Sequence, residues 1–160
     1  MSLRSTPGGG QLGGARLDHA WIESHIPHAG RMCLLEEVLS WDATHISCRA
    51  TSHRLADNPL RAHGRLGVAC AVEYAAQAMA VHGAIMAHME DKEAPAGLLT
   101  SLRNLVLRVG RLDDLDTDLI ASAERLAGDE GSTLYEFTVS SGGHELLSGR
   151  ASIVFGAGRV

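Results

Sequence analysis

The stretch VACAVEYAAQAMAVHGAIMAHM, Val68–Met89, decides the fold because it is long, apolar and almost free of charge. Glu73 is its only residue of the Asp, Glu, Lys or Arg types. A helix rises about 1.5 Å per residue, so this one would be roughly 30 Å long. A bilayer-spanning helix would rarely carry Glu73, Gln77, His82 and His88. The stretch therefore predicts a helix that is buried on most sides in a soluble protein.

The segments before this helix predict a short helix and a β-hairpin. Residues 18–25 have an amphipathic pattern that stops at Ile26-Pro27, since a residue before proline avoids helical geometry. Residues 32–41 and 45–51 are apolar or alternating runs around Asp42, which is typical of two paired strands. Residues 52–67 contain Asn58-Pro59 and two glycines and predict a loop.

The segments after the helix predict strands alone. Runs at residues 98–109, 117–126, 133–140 and 146–155 are separated by turn residues, which indicates antiparallel hairpins. One long helix wrapped by such a sheet predicts an α+β protein with a hot-dog fold. We expect a disordered Gly-rich tail at residues 1–14 and a single domain at residues 15–160. A sheet with an open edge also predicts a dimer.

Composition excludes several classes of function. The net charge of −5 disfavours nucleic acid as a partner, because a phosphate backbone requires a basic face. Three cysteines without Cys-x-x-Cys spacing are typical of free thiols in a reducing compartment, so we expect a cytoplasmic protein. The N-terminus has no continuous apolar segment of the secretory type. Nine scattered histidines make a metal site improbable, and nothing in the sequence requires a cofactor.

Glu73 is the first candidate catalytic residue. A lone carboxylate in an apolar helix loses solvation, which suits a general acid or base. A second interpretation is a carboxylate stabilised by the helix dipole and pointing to solvent. Gln77 lies one turn later, where its amide would orient Glu73 or remain at the surface. The helix start at Gly67 and Val68 offers unpaired N–H groups that would polarise a thioester carbonyl, unless Gly67 only makes the turn.

Two motifs resemble those of a known enzyme family. Residues 26–38, IPHAGRMCLLEEV, resemble the L-P-H-R-x-P-x-L-L-x-D-R-V opening of 3-hydroxyacyl-[acyl carrier protein] dehydratases. Residues 73–77, EYAAQ, resemble the E-A-M-A-Q motif on the helix of these enzymes. The block Asn58-Pro59-Leu60-Arg61 with Gly64-Arg65-Leu66 is similar to a divergent branch of the family that is linked to aryl-polyene lipids.

This resemblance implies a hot-dog dimer, or a hexamer of dimers, that removes water from acyl chains on acyl carrier protein. An acidic residue and a histidine from opposite subunits transfer the protons, and the acidic residue corresponds to Glu73. The position of the family histidine falls on Pro59, beside Asn58, so His63 in the same loop is the candidate substitute. His28 corresponds to a family position that is not catalytic, and we expect a structural hydrogen bond there.

Three functions therefore compete. The first is an active dehydratase with Glu73, His63 and Asn58 in the catalytic region. The second is a hot-dog thioesterase, in which Glu73 acts as base or nucleophile on an acyl thioester. The third is a non-catalytic subunit that binds acyl carrier protein or pairs with another hot-dog subunit. Acyl carrier protein is acidic, so a basic surface is the expected docking site. Its candidate residues are Arg54, Arg61, Arg65, Arg103 and Arg108.

Overall fold

The structure is a computed structural model that describes residues 8–156. Its two helices are α1 (His19–His25) and α2 (Ala71–Met89), and α2 is preceded by a 3-10 turn at Val68–Cys70. Its nine strands are β1 (Gly8–Gly9), β2 (Gln11–Leu12), β3 (Ala15–Arg16), β4 (Glu37–Trp41), β5 (His45–Ala50), β6 (Gly97–Leu107), β7 (Leu119–Gly128), β8 (Ser132–Ser141) and β9 (His144–Phe155).

Seven strands form one antiparallel sheet in the order β1-β4-β5-β7-β8-β9-β6. Strands β4 and β5 are the hairpin that the sequence predicts, and Ile46, Cys48 and Ala50 point inward from β5. Strands β7, β8 and β9 form a meander with Gly142 and Gly143 in the last turn, where both φ angles are positive. Glycine adopts positive φ without steric cost, which explains the sequence of this turn.

Helix α2 packs on the sheet centre, against β5, β7 and β8. Its alanines allow a close approach to the sheet, and Tyr74 and Ile85 fill the larger spaces with no exposure. Phe137 and Val139 face the helix side of the core from β8. Burial of a Leu, Ile, Val or Phe side chain stabilises a fold by about 1.5–3 kcal/mol, so this interface is a major source of stability. Although α2 is long and apolar enough to cross a membrane, most of it is buried inside the fold.

Hydrogen bonds to side chains fix the start of α1 and the residues just before α2. The Trp21 N–H donates to the side chain of Asp18, which caps α1, and α1 ends at Ile26 before Pro27. The Leu66 N–H donates to Asp113 Oδ1 at 2.9 Å just before α2 begins. Arg111 also binds Asp113, and this contact holds the pKa of Asp113 well below its usual range.

The N-terminal segment differs from the disordered tail that we expect for residues 1–14. Gly8 and Gly9 pair with Trp41 and Ser40, and Gln11–Leu12 pairs with Ala15–Arg16. The Trp41 Nε1–H donates to the Gln11 carbonyl at 3.0 Å, which ties this segment to β4. Pairing between distant segments therefore orders glycines whose local sequence has no preference for a strand. Residues 1–7 lie outside the described part of the chain.

Candidate active site

Glu73 lies in the first turn of α2, where the positive end of the helix dipole favours a carboxylate. Its side chain is 35 % exposed, so it is half-buried rather than enclosed in the core. The sequence suggests a deeper position because the residues around Glu73 are apolar. The structure places the carboxylate at the rim of the core, where a substrate can reach it.

His28 provides the contact that defines this site. Its Nε2 lies 3.1 Å from Glu73 Oε1, and its side chain is 28 % exposed. The two atoms lie within ion-pair distance, and the pair is charged when the His28 ring is protonated. The His28 Nδ1 atom is buried and has no hydrogen-bond partner among residues 8–156. The pair therefore holds one carboxylate oxygen in place and leaves Oε2 of Glu73 for other chemistry.

Gln77 positions the segment that carries His28. Its Oε1 accepts from the Leu34 N–H at 2.9 Å, and its Nε2 donates to the Met32 carbonyl at 2.7 Å. The side chain has no exposure. Both ends of the amide are thus engaged by backbone four to six residues after His28. The structure places Gln77 as a support of this segment, and its amide points neither to Glu73 nor to an open site.

Asn58 supports the loop at residues 52–67 in a similar way. Its Nδ2 donates to the Ser52 carbonyl at 2.9 Å and to the Tyr74 hydroxyl at 3.1 Å, while its Oδ1 accepts from the Leu60 N–H at 2.8 Å. The side chain is buried. Because each polar atom of this amide has a partner, Asn58 shapes the loop beside the helix.

The Tyr74 hydroxyl completes this hydrogen-bond network. Ser52 Oγ donates its single proton to the Leu34 carbonyl at 2.8 Å, so it accepts from the Tyr74 hydroxyl, also at 2.8 Å. Burial raises the pKa of Tyr74, and its hydrogen bonds with Ser52 and Asn58 oppose this change. The neutral phenol links helix α2, the loop and the Leu34 segment.

His63 lies apart from the Glu73–His28 pair. It is exposed in a tight turn between Ala62 and Arg65, and its φ angle is 54°. Among residues 8–156, His63 makes no hydrogen bond or ion pair with Glu73. Within one chain, the structure therefore brings His28 rather than His63 to the carboxylate. A catalytic role for His63 stays a prediction that depends on a second subunit.

The start of the helix offers fewer free donors than the sequence indicates. The Val68 N–H already donates to the Gly110 carbonyl at 3.2 Å, and the Val68 side chain is buried. Gly67 is extended, with φ −67°, and an added Cβ would meet no atom within 4 Å. Nothing among residues 8–156 therefore requires glycine at this position. Substrate binding at Gly67 and Val68 stays a prediction.

Two main cavities are present in the described residues, and neither is lined by Glu73 or His28. A cavity of about 400 Å³ lies between the segment after His28 and the loop at residues 52–67; its walls include Gly30, Arg31, Cys33, Leu34, Ser52, Leu55, Asp57, Asn58 and Pro59. The other, of about 570 Å³, lies beside the N-terminal glycines. Glu73 thus lies outside the walls of both cavities.

The cysteines and most of the predicted docking arginines have other roles. All three cysteines are free, and burial raises the pKa of Cys33, Cys48 and Cys70, which disfavours a thiolate nucleophile.

Three of the five arginines form ion pairs, namely Arg54 with Asp118, Arg61 with Asp113 and Arg108 with Glu145. Arg65 and Arg103 have no ion pair within residues 8–156.

Comparison with known proteins identifies the family. A family model described as ApeP-like, ApeP dehydratase, matches residues 20–156. The chain belongs to the ApeP-like dehydratase family. This result confirms the resemblance to dehydratases that the two sequence motifs indicate. No curated protein matches the chain significantly.

Solved structures confirm the α+β hot-dog fold of this ApeP-like chain. The dehydratase heterocomplex ApeI:P from Xenorhabdus doucetiae matches with a TM-score of 0.75 and 24 % identity, over 86 % of this chain and 91 % of that one. Thioesterase superfamily member 2 of zebra fish matches with a TM-score of 0.59 and 14 % identity, over 86 % and 95 %. A mutant thioesterase from Pseudomonas aeruginosa matches with a TM-score of 0.54 and 12 % identity, over 74 % and 78 %. The thioesterases are relatives in fold only.

The sequence does not predict that His28 is the partner of Glu73. The signal was present, because His28 and Glu73 belong to the two motifs that carry the family resemblance. Their contact depends on the way in which residues 28–34 cross α2. That crossing is fixed by Gln77, whose bonds to Met32 and Leu34 span more than forty residues of sequence.

Proposed function

We propose that this chain is a catalytic subunit that removes water from 3-hydroxyacyl thioesters, with Glu73 as the residue that transfers the proton. The observation that carries the proposal is the 3.1 Å contact between His28 Nε2 and Glu73 Oε1, in a chain of the ApeP-like dehydratase family. The contact leaves Oε2 of a half-exposed carboxylate available. We propose that C2 and C3 of the hydroxyacyl chain bind next to that atom.

The reaction requires the movement of one proton and the cleavage of one C–O bond. Glu73 Oε2 takes the proton from C2, next to the thioester carbonyl, and the negative charge moves onto the thioester oxygen. When the C3–O bond breaks, Glu73 returns this proton to the departing hydroxyl group. The products are a 2-enoyl thioester and one water molecule, so atoms and charge balance. General acid–base catalysis of this kind contributes about 10²–10⁴-fold to the rate.

His28 supports this step through Glu73. Its 3.1 Å contact with Oε1 stabilises negative charge there and keeps the carboxylate in one rotamer. Glu73 is therefore the proposed catalytic residue, and His28 is a positioning residue.

The proposed substrate carrier is acyl carrier protein, with a coenzyme A thioester as the simpler alternative. Arg65 is an exposed arginine in the loop before α2, and it has no ion pair in the described part of the chain. An acidic carrier that docks at this loop would deliver its acyl chain toward the start of α2. Weak salt dependence of carrier binding would contradict this part of the proposal.

The proposed active form is a hetero-oligomer with another hot-dog subunit. Glu73 lies on an open surface of the single chain, so a second surface is required to exclude water around the substrate. The matched ApeI:P dehydratase is a heterocomplex, which supports a second subunit of the same fold. A residue of the second subunit would complete the site around Glu73, because the exposed side of Glu73 leaves room for it.

The test is to incubate the chain in complex with a hot-dog partner subunit, and the chain alone, with a 3-hydroxyacyl thioester, on carrier protein and on coenzyme A, and to follow the product by mass. The expected result is loss of one water molecule and a product that absorbs as an enoyl thioester. Release of a free acid would overturn the proposal and favour a thioesterase. Failure to dehydrate the substrate, and to hydrate the enoyl thioester in the reverse direction, would favour a non-catalytic subunit.

A further inference from the structure

Asp113 is almost enclosed, although it lies in the segment between β6 and β7. Its side chain is only 5 % exposed. An enclosed carboxylate is costly unless hydrogen-bond donors and opposite charges surround it. The groups that surround Asp113 therefore identify what this residue holds together.

Groups from three residues converge on the two oxygens of Asp113. The Leu66 N–H donates to Oδ1 at 2.9 Å, and Arg111 Nε donates to Oδ1 at 3.0 Å. A second nitrogen of Arg111 binds Oδ2, and Arg61 Nη1 lies 3.7 Å from the same oxygen. Arg111 is a local partner, whereas Leu66 and Arg61 belong to the loop at residues 52–67. Asp113 therefore ties the segment between β6 and β7 to this loop.

Arg61 contacts the loop at residues 52–67 on both sides of its own position in the sequence. Its Nε donates to the Leu55 carbonyl at 2.9 Å, and its Nη1 lies 3.5 Å from the Gly64 carbonyl. The side chain is 20 % exposed, so the guanidinium is turned into the loop. A guanidinium presents its donors in a fixed plane, and these acceptors hold that plane in place. The loop is thus folded around Arg61, and Asp113 supplies the counter-charge.

Backbone hydrogen bonds extend this connection to the start of α2. The Leu112 N–H donates to the Leu66 carbonyl at 2.8 Å. The Val68 N–H donates to the Gly110 carbonyl at 3.2 Å. Leu66 and Val68 both have buried side chains, and Val68 begins the 3-10 turn before α2. Glu73 lies in the first turn of α2, so the position of Leu66 determines where the Glu73 carboxylate lies.

We propose that Asp113 is a positioning residue for the dehydration. It holds Glu73 in place through Leu66, and it orders the loop before α2 through Arg61. The inference rests on the proposed function, since Glu73 is the residue whose position is set. Asp113 itself does not touch a substrate, because its carboxylate is enclosed and both oxygens have partners. Its charge is the property that matters, because an amide at this position still accepts from the Leu66 N–H but leaves two guanidinium groups without a counter-charge.

The first test is Asp113→Asn, which keeps the shape of the side chain and removes its charge. Turnover is measured on the complex with a hot-dog partner subunit, with a 3-hydroxyacyl coenzyme A thioester as substrate. We expect kcat to fall about 10–10²-fold with KM nearly unchanged, because Asp113 acts through Glu73 and a small displacement of a catalytic group is costly. Amide hydrogen exchange of the chain without substrate should become roughly tenfold faster at Leu66 and Val68 and stay unchanged in β8.

Asp118→Asn is the matched control, because Asp118 is also a carboxylate between two arginines, Arg49 and Arg54. Within residues 8–156 it forms no ion pair with the arginines that bind Asp113. The kcat of this variant and its exchange pattern before α2 should match those of wild type. Equal losses in the two Asp→Asn variants would overturn the inference, because the loss of any paired carboxylate would then have the same effect.

Arg61→Gln is the second variant, and it tests the link even if Asp113→Asn does not fold. It should lower kcat by a smaller factor than Asp113→Asn, because Leu66 keeps its acceptor. The combined variant should lose less than the product of the two single losses, since both changes break the same ion pair. An unchanged kcat in Arg61→Gln, or losses that multiply fully, would overturn the link through Arg61.

Failure of this inference and failure of the proposed function have different signatures. An Asp113→Asn complex that turns over at the wild-type rate, or an unchanged exchange pattern, overturns the inference. A wild-type complex without turnover overturns the proposed function. The exchange measurement needs no substrate, so faster exchange in Asp113→Asn would still assign the anchoring of the residues before α2 to Asp113.

Discussion

Two polar side chains on successive turns of α2 have opposite surroundings. Gln77 is fully buried and both ends of its amide are bonded to backbone, whereas Glu73 is half-exposed and only one of its oxygens is bonded to His28. A buried amide with all partners satisfied stabilises one arrangement of the chain. A carboxylate with a free oxygen and a histidine partner is able to take and return a proton. The contrast separates a residue that supports the site from the residue that we propose to react.

The largest effect on activity is expected for Glu73→Gln. This change keeps the size of the side chain and removes the group that transfers the proton, so kcat for dehydration should fall about 10²–10⁴-fold. The free energy of unfolding should change by less than about 0.5 kcal/mol, because the side chain is at the rim of the core. Activity and urea unfolding measured on the same preparation check both parts. An unchanged kcat would remove Glu73 from the chemistry.

The largest effect on stability is expected for Gln77→Ala. It leaves the buried Leu34 N–H and Met32 carbonyl without partners, and each costs about 1–3 kcal/mol. We expect a loss of about 2–4 kcal/mol in the free energy of unfolding, measured with urea. His88→Ala is the control, because His88 is exposed on the same helix. Equal stability of these two variants would show that Gln77 does not support the residue 28–34 segment.

A smaller effect on activity is expected for His28→Ala. Loss of its contact with Glu73 should lower kcat roughly tenfold and leave KM nearly unchanged, since His28 acts through Glu73 and not on the substrate. His28→Gln should recover part of the rate, because its amide can donate to the same oxygen. His63→Ala serves as the comparison, at an exposed histidine in the loop at residues 52–67, and should retain wild-type activity. A larger loss with His63→Ala would reverse the assignment.

The smallest effect concerns the stability of the protein at acid pH. His82 is buried on α2, where it accepts from the Tyr135 hydroxyl at 2.7 Å and donates to the Asp42 carbonyl at 2.9 Å. Burial lowers the pKa of His82 in the folded protein. Below pH about 6.5, His82 therefore binds a proton in the unfolded chain but not in the folded chain. The free energy of unfolding falls as the pH decreases from there.

The measurement is the free energy of unfolding against pH for wild type and His82→Gln, which has no titrating group at this position. The difference between them should be greatest near neutral pH and should shrink below pH about 6.5. A difference that does not vary between neutral and acid pH would show that His82 is not held in its neutral form.

Much of the fold was predictable because it depends on local patterns. The apolar run at Val68–Met89, the alternation in β5 and β8 and the turn at Gly142 each have a signature in the sequence. The pairing of Gly8 and Gly9 with β4 was not predictable, because it depends on a strand about thirty residues away. The membership in a dehydratase family was predictable from two motifs. Glu73 stays the predicted catalytic residue, because it is the lone carboxylate of the apolar helix and lies in one of these motifs.

The pairing of the site residues was less predictable than their positions in the sequence. The contact between His28 and Glu73 exists because Gln77 fixes a loop across α2, and no local pattern encodes that crossing. Asn58 is a candidate site residue because it lies beside the position of the family histidine. Gln77 is a candidate because it belongs to the helix motif, one turn after Glu73. The structure engages their amides with backbone and with Tyr74. Residue type does not separate the supporting residues Asn58 and Gln77 from the proposed catalytic residue Glu73, whereas their hydrogen-bond partners do.

The most direct test of the central claim is a double-mutant cycle on the rate of dehydration with Glu73→Gln, His28→Ala and the combined variant. If His28 acts through Glu73, the combined variant should be no slower than Glu73→Gln alone, since the partner of the missing carboxylate has nothing left to position. If the two rate losses multiply instead, His28 acts independently of Glu73. That result would contradict the account of one catalytic carboxylate held in place by one histidine.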